Sequence, residues 1–196
     1  SGNTLGGKLR LLIEPFLPRG RERETESVAG FFQTIPGVNF PEHPFHLSRL
    51  DFGPEEGIAS QIPPAVGKPY ASLVSAVDQD GNELGGILLP DLTVPLGTHT
   101  GWNLRHADIG GTGQTLGLWG STLPFPVTKS QQDALGDPRP SLEERYTSRE
   151  DYLARVRNAA QDLVDDRYLL AEEIELVVDQ AAQRYDLLSN SIVLRR

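Results

Sequence analysis

The sequence contains no cysteine and no methionine. Without cysteine, the chain can form no disulfide framework and can use no thiolate as a nucleophile or metal ligand. Without methionine even at position 1, it lacks the residue with which synthesis starts. We therefore interpret the chain as an excised fragment or processed product of a longer protein, in preference to a chain that lost only its initiator.

Long apolar runs and an excess of positive charge are also missing. No apolar stretch approaches the ~18 residues of a membrane-spanning helix. Residues 1–17 lack the charged start, apolar middle and cleavage site of a signal peptide. The formal net charge is −9, and such a surface would repel a phosphate backbone. The sequence predicts a soluble globular protein with no membrane span and no nucleic-acid partner, and it indicates no compartment.

The familiar signatures of catalytic and cofactor sites do not occur either. The sequence has no G-x-S-x-G nucleophile elbow, no G-x-x-x-x-G-K-[ST] loop, and no G-x-G-x-x-G between a strand and a helix. His43 and His46 have H-x-x-H spacing, but Pro44 interrupts the helix that such a metal site needs. Residues 78–83 (DQDGNE) place their glycine at the fourth position, whereas a calcium loop has it at the sixth. We expect no metal and no cofactor.

The N-terminal third of the chain is predicted to be mostly extended. Residues 1–30 form an arm, with a strand at residues 9–16 and a charged surface stretch at residues 19–26. Residues 31–66 hold six prolines, which disfavour a helix and keep the preceding residues extended. We expect this proline-rich segment to wrap over other structure and to be anchored by its phenylalanines.

The middle of the chain combines a hairpin with a long glycine-rich segment. Residues 69–96 are predicted to form strand, tight turn and strand, with Asp80 and Gly81 at the turn. Residues 95–125, here named the central segment, contain both tryptophans and seven glycines. This composition predicts irregular backbone that shapes a site or an interface.

Helical periodicity begins only after a second proline-bearing linker at residues 127–147. Ser148 followed by Asp151 is typical of a helix N-terminus. Apolar residues then recur at helical spacing as far as Leu163, and again over residues 170–185 after a short break. We predict an antiparallel pair of helices with acidic, solvated outer faces.

His99, in the central segment, is the candidate catalytic residue. It could act as a general base with a nearby acid. The alternative is a loop histidine that is hydrogen-bonded to backbone and has no catalytic role. Separately from His99, two carboxylates among Asp91, Asp108 and Glu83 could be placed for acid–base chemistry.

Three further residues of the central segment are candidates for substrate binding. Trp102 could form the wall of a pocket, or it could anchor the segment to the core. Asn103 lies beside it. Arg105 could bind a carboxylate, or it could tie a loop to backbone carbonyls.

Two stretches carry a resemblance to a known family: residues 100–105 (TGWNLR) and residues 136–146 (GDPRPSLEERY). With their surroundings, over about residues 34–185, they resemble the C-terminal part of bacterial alpha/beta-hydrolase domain-containing proteins. Residues 1–30 are not covered. The resemblance implies a hydrolase core with its serine nucleophile upstream of this portion, and ester or amide hydrolysis by the whole protein.

These observations together predict an α+β fold in one compact unit. An antiparallel β-hairpin core is wrapped by proline-rich extended segments and followed by a C-terminal helical hairpin. The predicted parts are an arm (1–30), a hairpin and loop-rich core (31–146) and the helical pair (147–188). We expect a C-terminal accessory module that docks on an upstream hydrolase core or a companion chain. The alternatives are a non-catalytic binding or assembly module and a self-sufficient enzyme that uses His99.

Overall fold

A computed structural model describes residues 22–42, 47–55, 57–71, 73–116 and 119–190. The strand predicted at residues 9–16 lies outside the described residues, as do His43 and His46.

Most strands lie in the first part of the described residues, and four of the six α-helices follow the last strand. The strands are β1 (Glu22–Glu24), β2 (Ser48–Asp51), β3 (Ala65–Pro69), β4 (Leu73–Ser75), β5 (Gly97–Thr100), β6 (Asn103–Leu104), β7 (Thr115–Leu116) and β8 (Ser121–Pro124). The α-helices are α1 (Thr25–Gln33), α2 (Pro90–Thr93), α3 (Lys129–Leu135), α4 (Leu142–Arg145), α5 (Arg149–Asp165) and α6 (Ile174–Asn190). Single 3-10 turns occupy Ala107–Ile109 and Ala171–Glu173.

All the sheets among the described residues are two-stranded and antiparallel. β1 pairs with β4, β2 with β3, β5 with β8, and β6 with β7. Together with the helical pair at the C-terminus, they confirm the predicted α+β class.

The β5–β8 pair lies between two apolar cores. On one side, Leu96 and Phe125 flank the pair and pack with buried side chains of α4, α5 and α6. On the other side, Leu123 of β8 packs against the cluster of Val28, Phe32 and Ile35, which also contacts Trp102. The central segment is therefore held by both halves of the protein.

The C-terminal helical pair forms as predicted. The Ser148 side chain accepts a hydrogen bond from the Asp151 backbone N–H (3.1 Å) and caps α5. The inner face of α5 buries Val156 completely. Leu170, predicted on the inner face of the second helix, is 63% exposed. The reason is local, since Leu170 precedes the 3-10 turn and α6 begins only after that turn.

The N-terminal predictions need two corrections. The segment that begins at Phe31 is not extended throughout, because Phe31 and Phe32 belong to α1. That helix ends at Gln33, three residues before Pro36, so it escapes the steric effect of the prolines. The charged stretch also does more than cover the surface, since its residues Glu22–Glu24 form β1 and pair with β4.

Of the predicted hairpin at residues 69–96, the structure contains the turn but not the paired strands. Val77 and Glu83 form an isolated bridge, and the Leu84 N–H donates to the Ala76 carbonyl at 3.0 Å. Beyond that point the second predicted strand is absent from the described residues, and α2 begins at Pro90. Proline is favoured at the first position of a helix, where its missing N–H costs nothing.

Two segments that were predicted to be irregular contain regular structure. The central segment includes β5, β6, β7 and β8, so much of its backbone is paired. The linker at residues 127–147 contains α3 and α4. Each of these helices has a capping box, formed by Thr128 with Gln131 and by Ser141 with Glu144.

Candidate functional site

The acidic turn at residues 78–83 is used to shape backbone. The Asp78 Oδ1 atom accepts hydrogen bonds from the N–H groups of Asp80 (2.8 Å) and Asn82 (2.9 Å). Burial raises the pKa of Asp78, and these two hydrogen bonds oppose that rise. Among the residues that the structure describes, no group of histidine, aspartate and glutamate side chains could hold a metal ion.

Asn82 joins this turn to β5. Its Nδ2 donates to the Gly97 carbonyl (3.2 Å), and its Oδ1 accepts from the His99 N–H (2.8 Å). The side-chain amide thus makes the two hydrogen bonds that a neighbouring strand would make, and it is only 1% exposed. This arrangement fixes the backbone position of His99.

The buried side chain of Arg139 connects β5 and β8 through hydrogen bonds to residues of both strands. Arg139 pairs with the Asp137 carboxylate (2.7 Å) and donates to the Thr98 hydroxyl (2.9 Å). It also donates to the carbonyls of Leu123 (2.8 Å) and Pro124 (3.2 Å). Arg139 is only 2% exposed, and its guanidinium is bonded to these groups of the protein.

A second arginine and a tyrosine extend the network to α4. Arg145 forms a forked ion pair with Asp80 and lies over the Phe125 ring, 4.0 Å from its centroid. The Tyr146 hydroxyl donates to the Pro95 carbonyl (2.8 Å) at the start of the central segment. Burial raises the pKa of Tyr146 to about 12.

His99 is half-buried, and its side chain makes a cross-strand contact. Its Nδ1 atom lies 3.2 Å from the Thr122 hydroxyl, which is directly opposite on β8. Burial lowers the pKa of His99. The charge of the Asp91 carboxylate raises this pKa, and the charge of the Arg184 guanidinium lowers it further. Asp91 and Arg184 themselves form an ion pair at 2.7 Å. At neutral pH the imidazole is therefore predominantly uncharged and can accept a proton.

The other two carboxylates considered for acid–base chemistry, Glu83 and Asp108, are placed differently. Glu83 is exposed and takes part in the bridge to Val77. Asp108 is exposed beside His106, with 3.4 Å between its carboxylate and the imidazole. Of the three acids, Asp91 is the one whose charge acts on His99.

Trp102 braces the central segment. Its ring meets Phe32 and Phe40 edge to face, with centroids 5.2 Å and 5.5 Å apart. This geometry is the favourable one for aromatic pairs. These contacts support the interpretation that Trp102 anchors the central segment. The other tryptophan, Trp119, is 69% exposed.

Asn103 and Arg105 organise the loop that follows. The Asn103 Oδ1 atom accepts from the Leu104 N–H (2.8 Å), and the residue is exposed. Arg105 donates from Nε to the Gly110 carbonyl (3.0 Å) and from Nη2 to the Ile109 carbonyl (3.4 Å). These are the backbone contacts that were considered as the alternative to carboxylate binding.

A feature that the sequence analysis missed is an exposed ribbon, defined as residues 47–55 and 57–71, which contain β2 and β3. Leu50 and Val66 lie directly opposite each other in the pairing and are 52% and 73% exposed. Every residue of β3 is exposed. The sequence signal was present as apolar residues among prolines, but the pattern alone did not show that they remain uncovered.

Comparison with known proteins places the chain in a family. The model of a family described as alpha/beta hydrolase domain matches residues 44–179, more than half of the chain. No curated protein and no solved structure gives a significant match. No helix within the described ranges is long and apolar enough to cross a membrane. The matched region includes β2 to β8, the buried Arg139, the partly buried Arg145 and most of the helical pair. The chain therefore belongs to the alpha/beta hydrolase domain family.

Proposed function

We propose that this chain is the C-terminal accessory part of a bacterial alpha/beta-hydrolase protein and that it shapes or completes a hydrolase core. One contrast carries the proposal. The matched family is described by its hydrolase domain, yet the sequence has no G-x-S-x-G elbow. The described residues form only two-stranded antiparallel sheets. A nucleophile elbow requires a strand-to-helix turn at the top of an α/β sheet.

In this proposal, the core supplies the serine nucleophile and the complete protein hydrolyses a small ester or amide. The core is either an upstream part of the same polypeptide or a companion chain. The network of Asp80, Arg139 and Arg145 supports a role as a rigid unit, because it fixes the central segment from several directions. A rigid element positions groups at a neighbouring site more accurately than a free loop.

The candidate substrate-binding residues fit the proposal indirectly. Trp102 is packed on phenylalanines, and Arg105 is bonded to its own loop. We propose that these two residues set the shape of the loop, which then borders the substrate site of the core. Asn103, which is exposed beside them, is the residue of this group available to touch a substrate.

The contact between His99 and Thr122 supports a second candidate function, a self-sufficient enzyme. An uncharged imidazole within 3.2 Å of a hydroxyl has the distance of a base and nucleophile pair. In that case His99→Gln and Thr122→Val would each abolish turnover by the isolated chain. If the chain is instead a non-catalytic binding or assembly module, neither it nor its natural complex hydrolyses esters.

The test compares the isolated chain with the protein as its source cells produce it. Both are assayed with p-nitrophenyl esters of short acids. We expect turnover only in the natural preparation, together with a polypeptide sequence that contains G-x-S-x-G. Turnover by the isolated chain at an enzymatic rate would contradict the accessory role. The absence of hydrolase sequence and activity from the natural preparation would favour the binding module.

A further inference from the structure

We propose that residues 22–40, here named the strap, open and close on the central segment as a unit while the core formed with α4, α5 and α6 stays folded. The strap contains β1 and α1. Its side chains Val28, Phe32 and Ile35 are at most 4% exposed and cover one side of the β5–β8 pair. The proposal does not depend on the accessory role, because it concerns only contacts within this chain.

The helix of the strap has little stability of its own. α1 spans nine residues, whereas isolated helices shorter than about 12–15 residues are marginal in water. Gly30 lies in its interior, where glycine is less favourable than alanine because it loses more conformational freedom. α1 is therefore held by its packing, and it should unfold when its apolar face loses contact.

Few links other than apolar contacts hold the strap in place. Its backbone pairing with the rest of the chain is the three-residue ladder of β1 with β4. Apart from this pairing, the hydrogen bonds that the structure describes for residues 28–40 remain within the strap. The opposite side of β5–β8 is held by polar links as well, from Arg139 to Thr98 and from Tyr146 to the Pro95 carbonyl. Opening of the strap leaves those links intact.

The strap also precedes the region that matches the family model. That match covers residues 44–179, and the strap ends before it begins. The matched region thus contains the polar links on one side of β5–β8, whereas α1, which covers the Trp102 side, lies outside it. This position is the one expected of a separable element that covers one face of the matched region.

Opening of the strap has a consequence for the loop that carries Asn103. Trp102 packs edge to face on Phe32 and Phe40, and both of these rings belong to the strap. The β6–β7 pairing of that loop spans only two residues on each strand. Without the two rings, Trp102 no longer braces the start of the loop, so the loop is released together with the strap.

Amide hydrogen exchange of the full chain, followed residue by residue by NMR, tests the strap. Exchange is compared after correction for the intrinsic rate of each amide. We expect the amides of α1 to exchange at least about tenfold faster than those in the middle of α5, the ratio that a difference of 1.4 kcal/mol in opening free energy produces. Equal protection of α1 and α5 would overturn the inference, since the strap would then unfold only with the whole protein.

Gly30→Ala tests whether the loop opens with the strap. A Cβ at Gly30 meets no atom within 4 Å, so the substitution raises the helix propensity of α1 without adding a contact. It should slow the exchange of α1 by about twofold to fivefold. The Arg105 amide, which donates to the Gln114 carbonyl (3.0 Å), should slow by the same factor. Gln180→Ala, at an exposed position of α6, is the control and should leave both rates unchanged.

The contrary results of this comparison are distinct. Slower exchange of α1 without slower exchange of the Arg105 amide would contradict the release of the loop by the strap. An unchanged exchange rate of α1 in Gly30→Ala would overturn the opening itself.

Phe32→Ala provides a second variant, which removes the largest buried side chain of the strap. Phe32 is not part of the core formed with α4, α5 and α6. We therefore expect α1 to lose its protection from exchange while the middle of α5 remains protected. Loss of protection in both helices would overturn the inference, because the strap and that core would then form one cooperative unit.

Discussion

Replacing Arg139 by methionine is the most informative single perturbation of the scaffold. The guanidinium is 2% exposed and satisfies the Asp137 carboxylate, the Thr98 hydroxyl and two carbonyls of β8. Methionine fills most of the space of the arginine stem but donates no hydrogen bond. The variant therefore leaves a carboxylate buried without its cation, together with unsatisfied carbonyl oxygens.

The magnitude follows from the burial of the pair. Removing one partner of a buried ion pair costs about 3–5 kcal/mol, because the other charge is left uncompensated. A domain is stabilised by only about 5–15 kcal/mol in total. For a chain of this size, each kcal/mol lowers the melting temperature by about 2–4 °C. Arg139→Met should lower it by about 10 °C.

The assay is thermal and urea-induced unfolding followed by circular dichroism. Arg155→Met is the matched control, because Arg155 also pairs with an aspartate, Asp151, but its side chain is 50% exposed. That change should cost less than about 1 kcal/mol. Adding Asp137→Asn to Arg139→Met should recover part of the loss, since the uncompensated charge is removed. Equal melting temperatures for Arg139→Met and Arg155→Met would refute the reasoning.

Four further substitutions test other parts of the structure. Burial lowers the pKa of His99 in the folded state. As the pH falls below about 6.5, His99 is therefore protonated in the unfolded chain before it is protonated in the folded chain. The free energy of unfolding consequently decreases as the pH falls below that value. Urea titrations between about pH 7.5 and pH 5 should therefore show a smaller loss of stability for His99→Gln than for the unaltered chain, and parallel curves would exclude this effect. Val156→Asp places a charge at a position with 0% exposure and should destabilise the fold by several kcal/mol. Its control, Glu172→Gln on the exposed surface, should change the stability by less than about 0.5 kcal/mol. Equal effects of the two substitutions in thermal melts would show that the helix faces are misassigned. Trp102→Ala should cost about 3 kcal/mol by emptying the site between Phe32 and Phe40, and an unchanged melting temperature would exclude its bracing role.

The sequence was most informative where structure depends on local pattern. The spacing of apolar residues predicted α5 and α6, and Ser148 predicted where the first of these begins. The turn at Asp80 and Gly81 followed from the same kind of signal. In each case the determining residues are close in sequence, so their effect does not depend on the rest of the fold.

Short helices were missed because weak local signals competed with proline. The capping box of Thr128 and Gln131 was readable, yet the nearby prolines favoured a linker. Pro90 was taken as a residue within a strand, although it begins α2. Helices of four to nine residues carry too few apolar positions to show a clear period.

The contacts that define the candidate site could not be predicted because they are non-local. Asn82 reaches His99 across 17 residues, and Arg145 reaches Asp80 across 65. Both partners of each contact were visible as residue types. Their pairing depends on how the turn, β5 and α4 come together in space, and local sequence patterns do not reveal that arrangement.

The central claim, that this chain serves a hydrolase core and carries no nucleophile of its own, is tested most directly by serine labelling. The isolated chain is incubated with a fluorophosphonate, and its intact mass is measured. We predict no stoichiometric adduct on this chain, and one adduct per hydrolase core in the natural protein. A stoichiometric adduct on a serine of the isolated chain would contradict the account.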